Sequence, residues 1–366
     1  MPAGFFTPSV LEINDLGTLD ELRSVWRTLL EQTPRPAFCQ TLDWLQCNLR
    51  HCGPQSRLRA LCIDEHGETT GITVLIERSV GRRIELSLPS VGGDTLWPLG
   101  AHPWSQWLPV GHHLRRAWSR RHVLDLRGLP DPEGMTTRSL HAAGWNVHAQ
   151  PWTGTTTLRL EGSWDKFWSR LSPAVRQLVE FGEQRLAAIG PTNFVRFRPQ
   201  GSDNNAPRFP PEVYEHCLHV ALNDDDSLPR ADSWLNAPAR HQYQRDLLPW
   251  AWRHAAADLC LLFAGPQPIA FRFHTLAFGH LRTAWIGVDA EFRELPLATL
   301  LLIRVLRDSF QRHDQELDVG PTHPDVARDW NGAPTPLRRF VIGTKGPIIA
   351  TEPEDSHLSN IYADLD

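Results

Sequence analysis

At 366 residues the chain is more than twice the ~150-residue size typical of one domain, so two domains are expected. Hydrophobic residues make up 41%, charged residues 22% and aromatics 9%, which supplies apolar mass for real cores and excludes wholesale disorder. The net charge of −5 argues against a binder that tracks nucleic-acid phosphates.

Leu22, Val25, Trp26, Leu29 and Leu30 recur at helical spacing and predict a helix from about Leu19 to Leu30. Thr18 with Glu21 three residues later reads as its capping box. After Thr33-Pro34-Arg35-Pro36, a second helix is expected to open at Thr41-Leu42-Asp43-Trp44-Leu45. Leu58–Ile63, Ile72–Glu77 and Ile84–Leu88 are short β-rich runs. Turns at Asp64-Glu65-His66-Gly67 and Gly81 separate them, so they predict an antiparallel meander. A helix around His112–Arg121 and a strand at Val123–Leu126 follow. Thr155–Leu160 alternates like a strand, and Ser163–Ala188 is helical with a break at Ser172-Pro173. Pro199–Pro211 reads as a loop.

The early order then returns. Leu259–Phe263, Ile269–His274 and Leu281–Ile286 predict a second meander, followed by a helix from Leu297 to about Gln311 and a strand at Glu316–Val319. Even the Leu-Asp pair recurs, Leu124-Asp125 against Leu317-Asp318. Two structurally similar halves are therefore expected. Residues 1–150 would form an N-terminal lobe, 151–350 a C-terminal lobe with connector helices, and 351–366 a polar tail.

The junction from Gly287 to Pro296 is one place suited to chemistry. A strand entering a helix presents free amides and a helix dipole to an anion, so the first-turn N–H groups of Leu297, Ala298 and Thr299 suit a pyrophosphate. Pro296 suits the first helical position, and Arg293 adds a cation. Glu291 and Glu294 oppose an anion. Among the 15 tryptophans, Trp97, Trp104 and Trp107 lie among prolines and glycines, as cleft residues do, and flat indoles stack on sugars. His216 and His219 share a helical face near Asp224-Asp225-Asp226, but no third ligand completes a metal site, and none is expected.

Other classes are set aside by absence of pattern. The six cysteines form no C-x-x-C pair and no disulfide framework, as expected of reduced thiols in a cytoplasmic protein. No apolar run is long enough for a transmembrane helix. Met1-Pro2-Ala3-Gly4-Phe5-Phe6 lacks the basic and apolar regions of a secretory signal. No Ser-His-Asp arrangement, P-loop or dinucleotide fingerprint is found.

Phe38-Cys39-Gln40-Thr41-Leu42-Asp43-Trp44-Leu45 resembles the "PFQ-x-x-x-WL" opening of the CelD-like acetyltransferases, a branch of the GNAT superfamily. Leu171-Ser172-Pro173-Ala174-Val175-Arg176 through Gln184-Arg185-Leu186 is similar to that family's basic connector helix. The Leu297 helix and the stretch from Leu317-Asp318 to Trp330 fit its C-terminal half. The resemblance spans roughly Leu19 to Thr344 and rests on order and spacing. It implies an α/β fold of two GNAT-like lobes, each a mixed, largely antiparallel sheet flanked by helices. It also implies acyl-CoA as donor and an amine or sugar-linked acceptor, in cell-envelope or exopolysaccharide metabolism.

On that basis Gln40, Trp44, Trp104 and Trp107 are candidate acceptor contacts, and Asp318 and His323 candidate catalytic groups. The chain departs from the family at its Gly-Asp, Tyr and Lys positions, where Thr322, His323, Val326 and Ala327 stand. Two other readings stay open. One is a catalytically degenerate protein that binds carbohydrate or a protein partner. The other is a transferase using aminoacyl-tRNA, which the acidic charge and the presence of only two lysines, Lys166 and Lys345, disfavour.

Overall fold

The computed structural model describes residues 8–52, 55–91, 94–199, 209–224, 238–321 and 324–343. They fall into two compact units: one runs to Thr153 and takes in the stretch from Pro336, and the other holds Gly154–Thr335. The return at Pro336 differs from a division near residue 150 alone, and its cause is a strand pairing described below.

Unit 1 begins with β1 (Ser9–Ile13) and two short helices, α1 (Leu16–Glu21) and α2 (Arg23–Gln32). The single helix expected from Leu19 is thus broken at Leu22. Its N-cap is Asp15 rather than Thr18, because the Asp15 carboxylate accepts the Thr18 N–H at 2.7 Å. α3 (Leu42–His51) starts where expected, with the Thr41 hydroxyl accepting the Trp44 N–H at 3.1 Å. The meander is β2 (Ser56–Glu65), β3 (Glu68–Val80) and β4 (Arg83–Ser87). A two-stranded ribbon, β5 (Ser90–Val91) with β6 (Asp94–Thr95), follows. α4 (Trp107–Arg116) starts five residues before the expected helix, then come β7 (His122–Pro130) and α5 (Met135–Ala142).

β8 (His148–Arg159) leads into unit 2. α6 (Trp164–Arg170) and α7 (Pro173–Ile189) are separated at the expected break, and the Ser172 hydroxyl caps α7. β9 (Thr192–Phe197), α8 (Pro211–Leu222) and α9 (Pro238–Arg253) precede the second meander. That meander is β10 (Ala257–Ala264), β11 (Gln267–Ala277) and β12 (His280–Val288). α10 (Leu297–Gln311), β13 (Glu316–Pro321), α11 (Pro324–Asp329) and β14 (Ala333–Ile342) complete the chain's described elements.

The sheet of unit 1 runs β1-β2-β3-β4-β7-β14, and that of unit 2 runs β9-β10-β11-β12-β13-β8. In each, one pair is parallel, β4 with β7 and β12 with β13, and the other neighbours are antiparallel. A helix, α4 or α10, forms the crossover that a parallel pair needs. The same order with the same parallel step is the expected duplication at the level of topology. In unit 1 the sixth position is filled by the C-terminal strand: Leu337 to Ile342 pair with Pro130 to Leu124 on β7.

Each unit has its own core. In unit 1 Leu61, Leu75, Leu124 and Phe340 pack under Trp107, Val110 and Leu114 of α4. In unit 2 Cys260, Leu262, Ala270 and Leu317 pack under α7 and the apolar face of α10. Gly182 lets α7 approach closely. A Cβ there would sit 2.7 Å from Pro296 and 3.1 Å from Leu300 at the start of α10.

Candidate active site in unit 2

β12 and β13 pair only over His280–Arg282 against Glu316–Asp318. Beyond that point β12 continues to Val288 and the two strands part. A register shift opposite Phe273 and His274 marks the same place: Thr283 to Trp285 on β12 face two residues of β11, so Ala284 is a bulge. A bulge turns a backbone N–H out of the ladder. Burial agrees with an opened strand. Arg282 to Ile286 are all half-buried, whereas neighbouring β11 is buried continuously from Pro268 to Thr275.

Above the parting lies the start of α10. Pro296 is its N-cap, one position earlier than expected, and the Leu297 N–H donates back to the Leu295 carbonyl at 2.7 Å. The amides of Ala298 and Thr299 have no carbonyl acceptor within the helix, as first-turn amides do not. Arg293 is exposed and closes a 3₁₀ turn at Ala290–Phe292, with Glu291 and Glu294 exposed beside it. The turn is held by the buried Asp289, whose carboxylate accepts from the Glu291 amide at 3.0 Å and from the Asn223 side-chain amide at 3.2 Å.

Asp318 closes the parallel ladder opposite Arg282, is half-buried, and accepts the Gly320 N–H at 2.8 Å. Trp285, one bulge further along β12, stacks on Phe273 with ring centroids 4.6 Å apart. Sequence reasoning did not single out Trp285 or Arg282; the parting that exposes them is a pairing property, not a motif. His323 and Thr322 lie outside the described residues. His216 stacks edge-on to Phe263, and His219 meets the Asn223 side chain at 3.3 Å.

The acceptor candidates from the N-terminal half are placed differently from expectation. Gln40 is buried in a 3₁₀ turn, where its side-chain oxygen accepts the Ala37 N–H at 3.0 Å and its carbonyl accepts the Trp26 indole N–H. Trp44 and Trp107 are fully buried, because each sits on the inward face of an amphipathic helix. Trp104 is half-buried edge-to-face with Trp97. None of the four lines the 870 Å³ cavity of unit 1, which lies between Thr28 on α2, Glu68 and Leu108 on α4. In unit 1 these tryptophans are packing groups.

A second polar cluster lies under the C-terminal half of α10. Asp258 is fully buried and accepts from Arg196 at 2.8 Å and Arg198 at 2.6 Å. Arg196 also reaches Asp308 at 2.8 Å, and Arg198 reaches Asp314 at 2.7 Å. Burial alone would raise the Asp258 carboxyl, but the guanidiniums hold it far below the usual range. Burial pushes the imidazole of His274 down to about 3 and the Cys260 thiol up. Asp258, Cys260 and His274 place potential ligand atoms within 4.8 Å of one another. Both oxygens of the carboxylate already accept from guanidiniums, and a dication would face those charges. We read the cluster as an ion-paired brace of β9, β10 and α10.

Residues 206–328 match the sequence profile of the acetyltransferase (GNAT) domain. That stretch of unit 2 is similar to a GNAT acetyltransferase domain. The match covers α8 through most of α11, and so contains the bulge, the strand parting and the α10 N-terminus. No curated protein matches the chain in sequence. Among solved structures, FemX is similar over 87% of this chain and 95% of its own, at 10% identity and a TM-score of 0.60. The C-terminal domain of a proposed lysylphosphatidylglycerol synthetase from Agrobacterium fabrum is similar over 90% and 93%, at 9% identity and a TM-score of 0.54. A tandem GNAT protein from the clavulanic acid biosynthesis pathway is similar over 93% and 99%, at 16% identity and a TM-score of 0.50. At such identities the likeness is one of fold: two GNAT-like units in tandem.

Proposed function

We propose that the chain is an N-acyltransferase of the CelD-like type that moves an acyl group from acyl-CoA to an amine, with its chemistry in unit 2. The observation that carries this reading is the coincidence of the β12–β13 parting with the Ala284 bulge. A thioester laid in the parting would meet an outward N–H at the bulge, a donor able to stabilise the charge that develops on the carbonyl oxygen. The amine nitrogen then bonds to the thioester carbon and the carbon–sulfur bond breaks. The amine's proton passes to a base, and the thiolate leaves as the CoA thiol once protonated. Asp318 is the described carboxylate at the mouth of the parting and is the base we assign. The amides of Ala298 and Thr299, with Arg293, would hold the pyrophosphate.

The GNAT domain supports an acyl-CoA co-substrate, and FemX and the synthetase point the acceptor toward the cell envelope. Half-buried Arg282 and Trp285 at the parting suit an acceptor with a polar, ring-bearing body. No helix among the described residues is long and apolar enough to cross a membrane, and we place the reaction in the cytoplasm, where acyl-CoA is made.

The test is a thermal-shift titration of the full chain with acetyl-CoA, since a ligand that binds only the native state raises the midpoint by mass action. A saturable rise in wild type, weakened at least tenfold in Arg293→Glu, is expected. Equal affinity in both would remove the α10 site. No rise in either would favour the degenerate, binding-only reading.

A further inference from the structure

The duplicated topology gives Asp318 a counterpart. In unit 2 the parallel ladder ends at Arg282 opposite Asp318, and in unit 1 it ends at Ser87 opposite Asp125. The two positions carry the same residue and opposite surroundings. Asp125 is buried and takes two bonds of 2.8 Å from Arg339 on β14, through Nε and Nη2. Arg127 adds Nε at 3.0 Å and Nη2 at 2.9 Å.

The two arginines are not fully used by Asp125. Each turns its Nε–Nη2 edge to the carboxylate, which leaves Nη1 facing away. Arg339 is only 4% exposed, and its Nη1 is buried with no hydrogen-bond partner among the described residues. A buried donor without an acceptor is costly, and more so on a charged group. Arg127 and Arg339 lie 5.7 and 5.8 Å from the ring centre of Trp152, which is half-buried. Thr95 and the Trp152 ring border Gly128 beside them, and Gly128 carries no side chain into that space. The trio of Asp125, Arg127 and Arg339 sums to one positive charge. Glu85 acts on Arg339 through its charge alone.

We propose that this group is an oxyanion site of unit 1, taking a phosphate or carboxylate group on Arg339 Nη1 and Arg127 Nη1. It is a binding site at the position that corresponds to Asp318, the carboxylate we assign as base in unit 2. Arg127 is 38% exposed and forms its entrance; Arg339 forms its floor. The site is independent of the donor site assigned above, so either can fail without the other.

The experiment is thermal unfolding of the full chain against inorganic phosphate at constant ionic strength, with chloride as the balancing salt and acetate in a parallel series. Wild type should show a saturable rise with at least one anion. A response to phosphate alone assigns a phosphate ester, and an equal response to acetate assigns a carboxylate. Arg127→Gln keeps the Asp125–Arg339 pair, so it should fold, and loss of a charge-assisted bond should raise the half-saturation concentration about tenfold or more. Arg57→Gln, which removes an exposed arginine of β2, separated from β7 by β3 and β4, should leave that half-saturation unchanged. Exclusion of phosphate from the surface also raises stability, but without saturation and equally in all three proteins. A non-saturating response, the same half-saturation in Arg127→Gln, or an equal shift in Arg57→Gln, overturns the site.

Discussion

His274 is a weak base held where burial opposes its protonation. It is fully buried, both ring nitrogens lack partners among the described residues, and its protonation is pushed down to about 3 from an ordinary 6.5. Desolvation is the chief cause, reinforced by the charges of Arg272, Arg196 and Arg198 and opposed by Asp258. Between those two pH values the unfolded chain binds a proton that the folded chain does not. Stability should therefore fall as pH drops from about 6.5 toward 3, by up to about 1.4 kcal/mol per pH unit from this group. Denaturant titrations across that range should show the slope in wild type and a shallower one in His274→Phe; parallel slopes would mean that the imidazole titrates normally. Asp258 is depressed instead, so its contribution is full above the ordinary carboxylate range and is lost only as pH falls through its far lower folded value. Asp258→Asn removes the fully buried carboxylate shared by Arg196 and Arg198, leaving them Asp308 and Asp314, and should cost about 3–5 kcal/mol in the same assay.

Among the elements, the contact of α7 with α10 fixes the candidate donor site. Gly182 has no room for a Cβ against Pro296 and Leu300, so Gly182→Val must displace the α10 N-terminus. We expect a loss of about 1–3 kcal/mol from overpacking and, on the proposed function, weaker acetyl-CoA binding; unchanged unfolding and binding would show that the helices slide apart freely. Elements of this kind were legible to different degrees. The two meanders, α10 and the break before α7 announce themselves by β-branched runs, turn glycines and a Ser-Pro cap. The short edge strands β1 and β9 do not, because a half-buried strand of five or six residues carries little alternation. α4 begins early because Trp107 and Val110 join its apolar face. The position of Asp318 at the end of its strand and the start of α10 were readable from a recurring Leu-Asp pair and a strand–helix junction. Trp44 and Trp107 misled, since an indole in a Pro- and Gly-rich neighbourhood or a family motif looks the same whether it faces a cleft or a core.

At the scale of the whole chain, unit 1 is completed by residues more than 200 positions from its own sheet. Leu337 to Ile342 supply its sixth strand, Phe340 and Ile342 enter its core, and Arg339 neutralises the buried Asp125. A chain ending at Thr335 would lose all three at once. The backbone groups of β7 from Leu124 to Pro130 would be left as an open edge, and Asp125 would retain only the more exposed Arg127. Removing one partner of a buried ion pair alone costs about 3–5 kcal/mol, a large part of the margin on which a domain folds. Unit 1 of the truncated chain should therefore lose amide protection in β7, read by hydrogen exchange with peptide resolution. The Leu259–Phe263 segment of β10, paired with β9 and β11 inside unit 2, should keep its protection. If β7 stays protected after truncation, β14 is an ornament of unit 1 rather than a structural strand. If β10 opens together with β7, the two units do not fold as separate cooperative bodies.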